Sequence, residues 1–250
     1  IGIFWLYIAN ILEPNEFGEI TYLISLASIS SIFAGIGTAN IMTVYAAKKV
    51  EILKVLTVIS IITSIFGSVL LILLFERIDI GILSIGLVLN NLAIGHILGK
   101  KEFVTYSKFM FLQKGLTIVL GLIVIHYFSY EGLIFAIAFS YLFYIIRIVR
   151  ILRESKINFS LLKTKWRFIV DNYLIVVVGS QISQLDKILI MPLLGLIILG
   201  NYSLAIQMLI ILNSLGAIVY KYILPHDSTN TSTRNVKKYF LFASVGISLF

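Results

Sequence analysis

The sequence predicts an all-α, polytopic integral membrane bundle, and composition, run length and loop charge carry that reading. Of 250 residues, 59% are hydrophobic and only 13% charged, whereas soluble domains run about half apolar and about a quarter charged. Mean hydropathy is +1.02. A net charge of +8 would suit a nucleic-acid binder only if the cations clustered on a solvated face of an ordinary core. Here they fall between apolar runs, so nucleic acid is not an expected partner. The absence of cysteine excludes disulfides and thiolate metal sites.

A bilayer crossing takes roughly 20 apolar residues. Runs of that length predict helices at 20–46, 53–75, 78–98, 106–128, 131–149, 169–194 and 200–222. Partial spans at 1–12 and from 239 flank them, so the chain reads as a piece of a longer protein whose total helix number is not fixed here.

Loop charges set the orientation. One series of breaks holds Lys48, Lys49 and Lys54, then Lys100, Lys101 and Lys108, then Arg147 to Arg167, and finally Lys221, Arg234, Lys237 and Lys238. The alternate breaks, "EPNEFGE", "ERIDIG", "SYEG" and "GLIILG", hold a single cation, Arg77. The bias never reverses, which predicts a multi-pass cell-membrane protein with its N-terminus and basic loops in the cytoplasm.

The longest break mixes cations with Ile148, Ile151, Leu152, Phe159, Leu161, Leu162 and Trp166. That mixture suits an amphipathic segment on the anionic inner leaflet. It divides an N-terminal lobe (1–149, six helices with the first truncated) from a basic linker (150–167) and the start of a C-terminal lobe (168–250). Repetition supports the division: a shift that lays Gly18 over Gly200 aligns "GEITYLISLASIS" with "GNYSLAIQMLIIL". Both copies enter from the same side, which requires parallel repeats about an axis along the membrane normal.

"LEPNEFGEITYLISLASISSIFAGIGTANIMTVYAAKK" combines a proline-containing loop, Phe-Gly, a long helix, a glycine-containing bend and basic residues. It resembles the opening of the polysaccharide (Wzx-type) flippases of the multidrug/oligosaccharidyl-lipid/polysaccharide exporter superfamily. "LDKILIMPLLGLIILGNYSLAIQMLIILNSLGAIVYKYILP" looks like the matching start of their second lobe. The resemblance implies two pseudo-symmetric lobes of a twelve- or fourteen-helix bundle, the second incomplete here. It implies alternating-access transport of a polyprenyl-diphosphate-linked oligosaccharide from inner to outer leaflet, in polysaccharide or glycan biosynthesis. Proton or sodium coupling and polysaccharide-assembly proteins are the further partners it implies, besides the bilayer. Sugar, prenol and coupling ion are not specified.

Such a substrate needs a polar cavity, a cation for the diphosphate and a lateral opening for the prenyl tail. Charges inside a membrane cost about 2.5 to 3.5 kcal/mol and face a cavity or a partner. On a continuous helix, Asn172, Ser180, Ser183, Gln184, Asp186 and Lys187 fall within about half the circumference. Lys187 suits a phosphate; Asp186 suits an ion, a proton or a neighbouring cation. The competing reading puts both at the outer interface, with Lys187 reaching water. A second stripe joins Tyr106, Gln113, Lys114, Thr117 and Gly121. There Lys114 is the first candidate for the diphosphate, against a lysine that merely reaches the inner headgroups. Asn90 and Asn91 either bond substrate or bridge helices.

The candidate site is therefore Lys114, Lys187, Asp186, Gln113, Gln184, Ser183 and Asn91. Signatures for nucleotide binding, serine hydrolysis and paired metal-binding histidines are missing, so neither enzyme activity nor a cofactor is expected. Two alternatives stay open. A multidrug or small-solute antiporter shares the scaffold and would favour carboxylates such as Asp186. A membrane glycosyltransferase or polymerase would need a sizeable outer loop, which this stretch lacks.

Overall fold

The computed structural model describes residues 2–154, 159–181 and 184–211. Helix accounts for 89% of it and no strand occurs among the described residues. The helices are α1 (Gly2–Ile11), α2 (Pro14–Ala34), α3 (Ala39–Ala47), α4 (Leu53–Phe75), α5 (Ile78–Gly99) and α6 (Phe103–Tyr127). A continuous helical span, Tyr130–Glu154, contains α7 (Leu133–Phe139) and α8 (Ile145–Glu154). Then come α9 (Phe159–Gln181) and α10 (Leu185–Leu194), and α11 (Leu196–Ile211).

Five of these are long and apolar enough to cross a membrane: α2, α4, α5, α6 and the Tyr130–Glu154 span. Their outer surfaces fit hydrocarbon rather than water. On α4 Ile62, Phe66, Val69 and Leu73 are exposed, and on α6 Phe103, Val104, Phe111 and Val119 are too. A soluble monomer rarely carries apolar patches of such extent.

Helices in lipid gain little from a hydrophobic drive, so small residues that admit close backbone contact matter more. The central helix, α5, shows this against α3. A Cβ on Gly95 would lie 2.5 Å from the Ala39 carbonyl oxygen, and one on Gly99 would lie 2.5 Å from that of Thr43. Thr43 Oγ1 completes the contact by donating to the Gly95 carbonyl at 3.1 Å. Around this seam one apolar cluster gathers Ile41, Leu56, Leu92, Tyr144 and Ile148. A second, nearer the other end, gathers Phe4, Phe17, Ile20, Leu83 and Leu133.

Polar residues on the spans are mostly turned back on their own helices. Ser25, Ser28, Ser31, Thr43 and Ser64 each donate to a carbonyl three or four residues earlier. That bond satisfies a hydroxyl without a partner helix.

The expected helix over 20–46 is two helices. Gly35 caps α2, its N–H bonding the Ser31 and Ile32 carbonyls, and Thr38 caps α3 by accepting from the Ile41 N–H at 3.4 Å. Between them the freed backbone is satisfied from α4: Ser60 Oγ accepts from Gly37 N–H at 2.8 Å, and Thr63 Oγ1 donates to the Ala34 carbonyl at 2.6 Å. The expected 169–194 span likewise divides into α9 and α10, and α9 starts well inside the expected linker. The lobe boundary expected at 149 falls within α8. Expectations beyond Ile211, including the span from 239 and the cations Lys221 to Lys238, lie outside the described residues.

Candidate functional site

Charged side chains gather at two ends of the bundle. At one, Arg77 grips Asp79 through two nitrogens at 3.2 and 2.8 Å and reaches Glu19 at 3.3 Å. Tyr130 donates to the same Glu19 at 3.3 Å. Breaks poor in cations, "EPNEFGE", "ERIDIG" and "SYEG", therefore meet in space. At the other end Arg147 donates from Nε to His96 Nδ1 and from Nη2 to Glu102, both at 2.9 Å. Lys100 pairs with Glu154 there at 2.6 Å. Loop charge places Arg147 among the basic breaks. It is only 2% exposed, because α8 continues past it and turns it toward α5. Its guanidinium holds the Glu102 carboxyl below the ordinary carboxylate value.

Next to the Arg77 cluster lies the contact that concerns function most. Where α2 and α11 cross, a Cβ on Gly18 would lie 2.1 Å from the Leu196 carbonyl oxygen, and one on Gly200 would lie 2.0 Å from that of Pro14. Ser203 Oγ donates to Thr21 Oγ1 at 3.1 Å across 182 positions. The shift that aligns Gly18 with Gly200 also aligns Thr21 with Ser203 and Pro14 with Leu196. Each partner meets its own counterpart, as in an isologous contact about a two-fold axis. Pairing of 18 with 200 and of 21 with 203 requires the two helices to run in the same direction.

Beside this crossing lies a cavity of about 150 Å³ lined by Trp5, Thr21, Ser25, Gln184, Lys187 and Gln207, among others. Two expected site residues, Lys187 and Gln184, thus share one space with hydroxyls and an amide that the sequence reading did not include. Lys187 is half-buried and makes no ion pair among the described residues. Its chain neighbour Asp186 is engaged elsewhere, accepting from the Tyr202 hydroxyl of α11 and from the Lys187 N–H. The two adjacent side chains form no ion pair with each other. No local pattern announces Tyr202 as the partner; it follows from the turn at Gly195, where φ is 86°, which folds α11 back along α10.

The other candidates lie apart. Gln113 is buried, donating to Thr117 and Ser140 hydroxyls at 3.0 and 3.2 Å. With Gly121 seated against Phe4, the second stripe is largely a packing face. Lys114 is half-buried on α6, without an ion pair among the described residues, and does not line the Lys187 cavity. Asn91 lines a different cavity of about 180 Å³ at the α2–α3 break, with Asn40, Ser31, Thr38 and Val176. Asn172 donates to the Phe168 carbonyl of its own helix at 3.0 Å. Ser183 lies outside the described residues. Among them, no group of three or more His, Asp or Glu is placed to hold a metal ion.

No family model, curated protein or solved structure matches the chain.

Proposed function

We propose that the chain belongs to a membrane transporter that moves a polyprenyl-diphosphate-linked oligosaccharide from the inner to the outer leaflet by alternating access. It would be a Wzx-type flippase within the multidrug/oligosaccharidyl-lipid/polysaccharide exporter superfamily. The basic breaks then face the cytoplasm, and the lobes divide near the 150–167 segment. One observation carries the reading: Lys187, half-buried and in no ion pair among the described residues, lines a mainly apolar cavity that also presents Thr21, Ser25, Gln184 and Gln207, beside a crossing of helices related by the internal repeat. A cation kept in such a place is costly unless an anion visits it, and a diphosphate is such an anion. Lys treats it as a point charge, so recognition depends on charge more than on fork geometry.

A drug or small-solute antiporter on the same scaffold is the second reading. Asp186, held by Tyr202 within the bundle, is the carboxylate it would use. Glycan export by cells that rely on the full-length protein separates the two. A hydrogen bond to a charged group contributes about 1.5 to 3 kcal/mol, so Lys187→Gln should weaken substrate binding about tenfold to a hundredfold. Lys187→Arg should retain more activity. Lys114→Gln tests the separate half-buried lysine of α6 in the same assay. Normal export by Lys187→Gln at matched membrane levels refutes the assignment, and drug or solute efflux that is lost on Asp186→Asn, with glycan export independent of the protein, identifies the antiporter.

A further inference from the structure

The span Tyr130–Glu154 carries an exposed stripe that changes character once along its length. Phe135, Phe139, Leu142, Ile146 and Val149 are exposed at spacings of three and four, which place them on one face of a helix. Phe135 and Phe139 stack with ring centroids 6.4 Å apart. The stripe ends at Arg150 and Arg153, where Ile145, Ile146, Val149 and both arginines line a groove of about 580 Å³. From Phe139 to Val149 the helix rises about 15 Å at 1.5 Å per residue, the depth of one leaflet of a hydrocarbon core about 30 Å thick. Its arginines then stand at headgroup level.

Both arginines have charge to spare. Glu154, the acid in the groove, is taken by Lys100 at 2.6 Å and lies 3.9 Å from Arg150, the far limit of an ion pair. Arg150 keeps 54% of its side chain exposed, and Arg153 has no acidic partner among the described residues. Arg147 does not belong to this surface, being buried against His96 and Glu102.

We propose that this face binds one anionic glycerophospholipid, its phosphate between Arg150 and Arg153 and an acyl chain along Val149, Ile146, Leu142 and Phe139. The neighbourhood argues for a lipid over a peptide or a soluble anion. A basic pair directly continuous with a leaflet-deep apolar stripe matches a molecule with an anionic head and a chain of that length. Basic sites at membrane helix ends bind anionic headgroups for this reason.

The test uses full-length protein in neutral detergent, with native mass spectrometry to count bound dioleoyl phosphatidylglycerol against dioleoyl phosphatidylcholine. Wild type should prefer phosphatidylglycerol and lose the preference as salt rises. Replacing each arginine by Gln should weaken it about fivefold, and Arg150→Gln/Arg153→Gln about thirtyfold. Arg150→Lys/Arg153→Lys should keep most of it. No preference in wild type, or one indifferent to salt, overturns the proposal without any variant. An undiminished preference in the double Gln protein does the same. Displacement of phosphatidylglycerol by farnesyl diphosphate at equal concentration would assign the face to a lipid diphosphate instead and also overturn it.

Discussion

Substituting Gly18 by alanine tests the crossing of α2 and α11 directly. The added Cβ would sit 2.1 Å from the Leu196 carbonyl oxygen, about 1.3 Å short of the 3.4 Å at which ordinary contact begins. The obstacle is backbone, so no rotamer change relieves it; the helices must separate or tilt by about that distance. Overpacking of this kind costs about 1 to 3 kcal/mol, which favours a separated arrangement about fivefold to 150-fold. The pair Thr21→Cys/Ser203→Cys reports the separation, since the hydroxyls they replace are 3.1 Å apart and a disulfide needs Cβ atoms about 3.5 to 4.5 Å apart. The chain supplies no cysteine of its own. Oxidation in membranes should cross-link the pair efficiently, and adding Gly18→Ala should slow cross-linking by a factor in that range. Gly200→Ala should act similarly, because its Cβ meets the Pro14 carbonyl oxygen at 2.0 Å. Cross-linking at an unchanged rate in both alanine variants would refute the close crossing and the two-fold relation built on it.

Two further outcomes are expected. Glu102 titrates below its ordinary 4.5 because Arg147 donates to it; its contribution to stability is present above that pH and is lost as pH falls through the lower folded value. Melting curves should therefore fall more steeply below about pH 4.5 for wild type than for Glu102→Gln, and equal slopes refute the pairing. The loop-charge bias predicts that Asn15→Cys reacts with an impermeant thiol reagent on intact cells while Lys101→Cys reacts only after permeabilisation, and the reverse pattern overturns the orientation.

Length and apolarity made the spans legible. The expected 53–75 coincides with α4, and 78–98 and 106–128 differ from α5 and α6 by at most three residues at either end, because a charged or polar break bounds each run. Hydropathy ran one span across 20–46, since Gly35, Ile36 and Gly37 are no more polar than their surroundings, although the same stretch showed a glycine-containing bend. Its available signal was chemical: two glycines one residue apart before Thr38, a residue type that caps helices. The wheel joining Asn172 to Lys187 assumed one unbroken helix, whereas Gln184 stands in a turn from which α10 starts at Leu185. Lys187 and Gln184 nonetheless line one cavity, together with Ser203 and Gln207 of α11. Arg147 was misread because charge counting assigns a cation to a loop without asking what lies opposite. His96, which receives it, is 51 positions away. Asp186 and Tyr202 raise the same difficulty over 16 positions.

The serines of α2 and α4 that bond carbonyls of their own helices leave those surfaces dry in a chemical sense. A hydroxyl already satisfied within its helix holds no neighbour in place and loses nothing when the neighbour moves. Register between α2 and the helices beside it is therefore set mainly by shape, with few interhelical bonds to break. Ser60 and Thr63, which tie α4 to the ends of the α2–α3 break, are exceptions, as are Thr43, which also reaches the Gly95 carbonyl, and Thr21, which accepts from Ser203. α2 is therefore pinned near both ends, by Ser60 and Thr63 at the α3 junction and by Arg77 and Tyr130 on Glu19 near Pro14, while the stretch between has shape alone to hold its register.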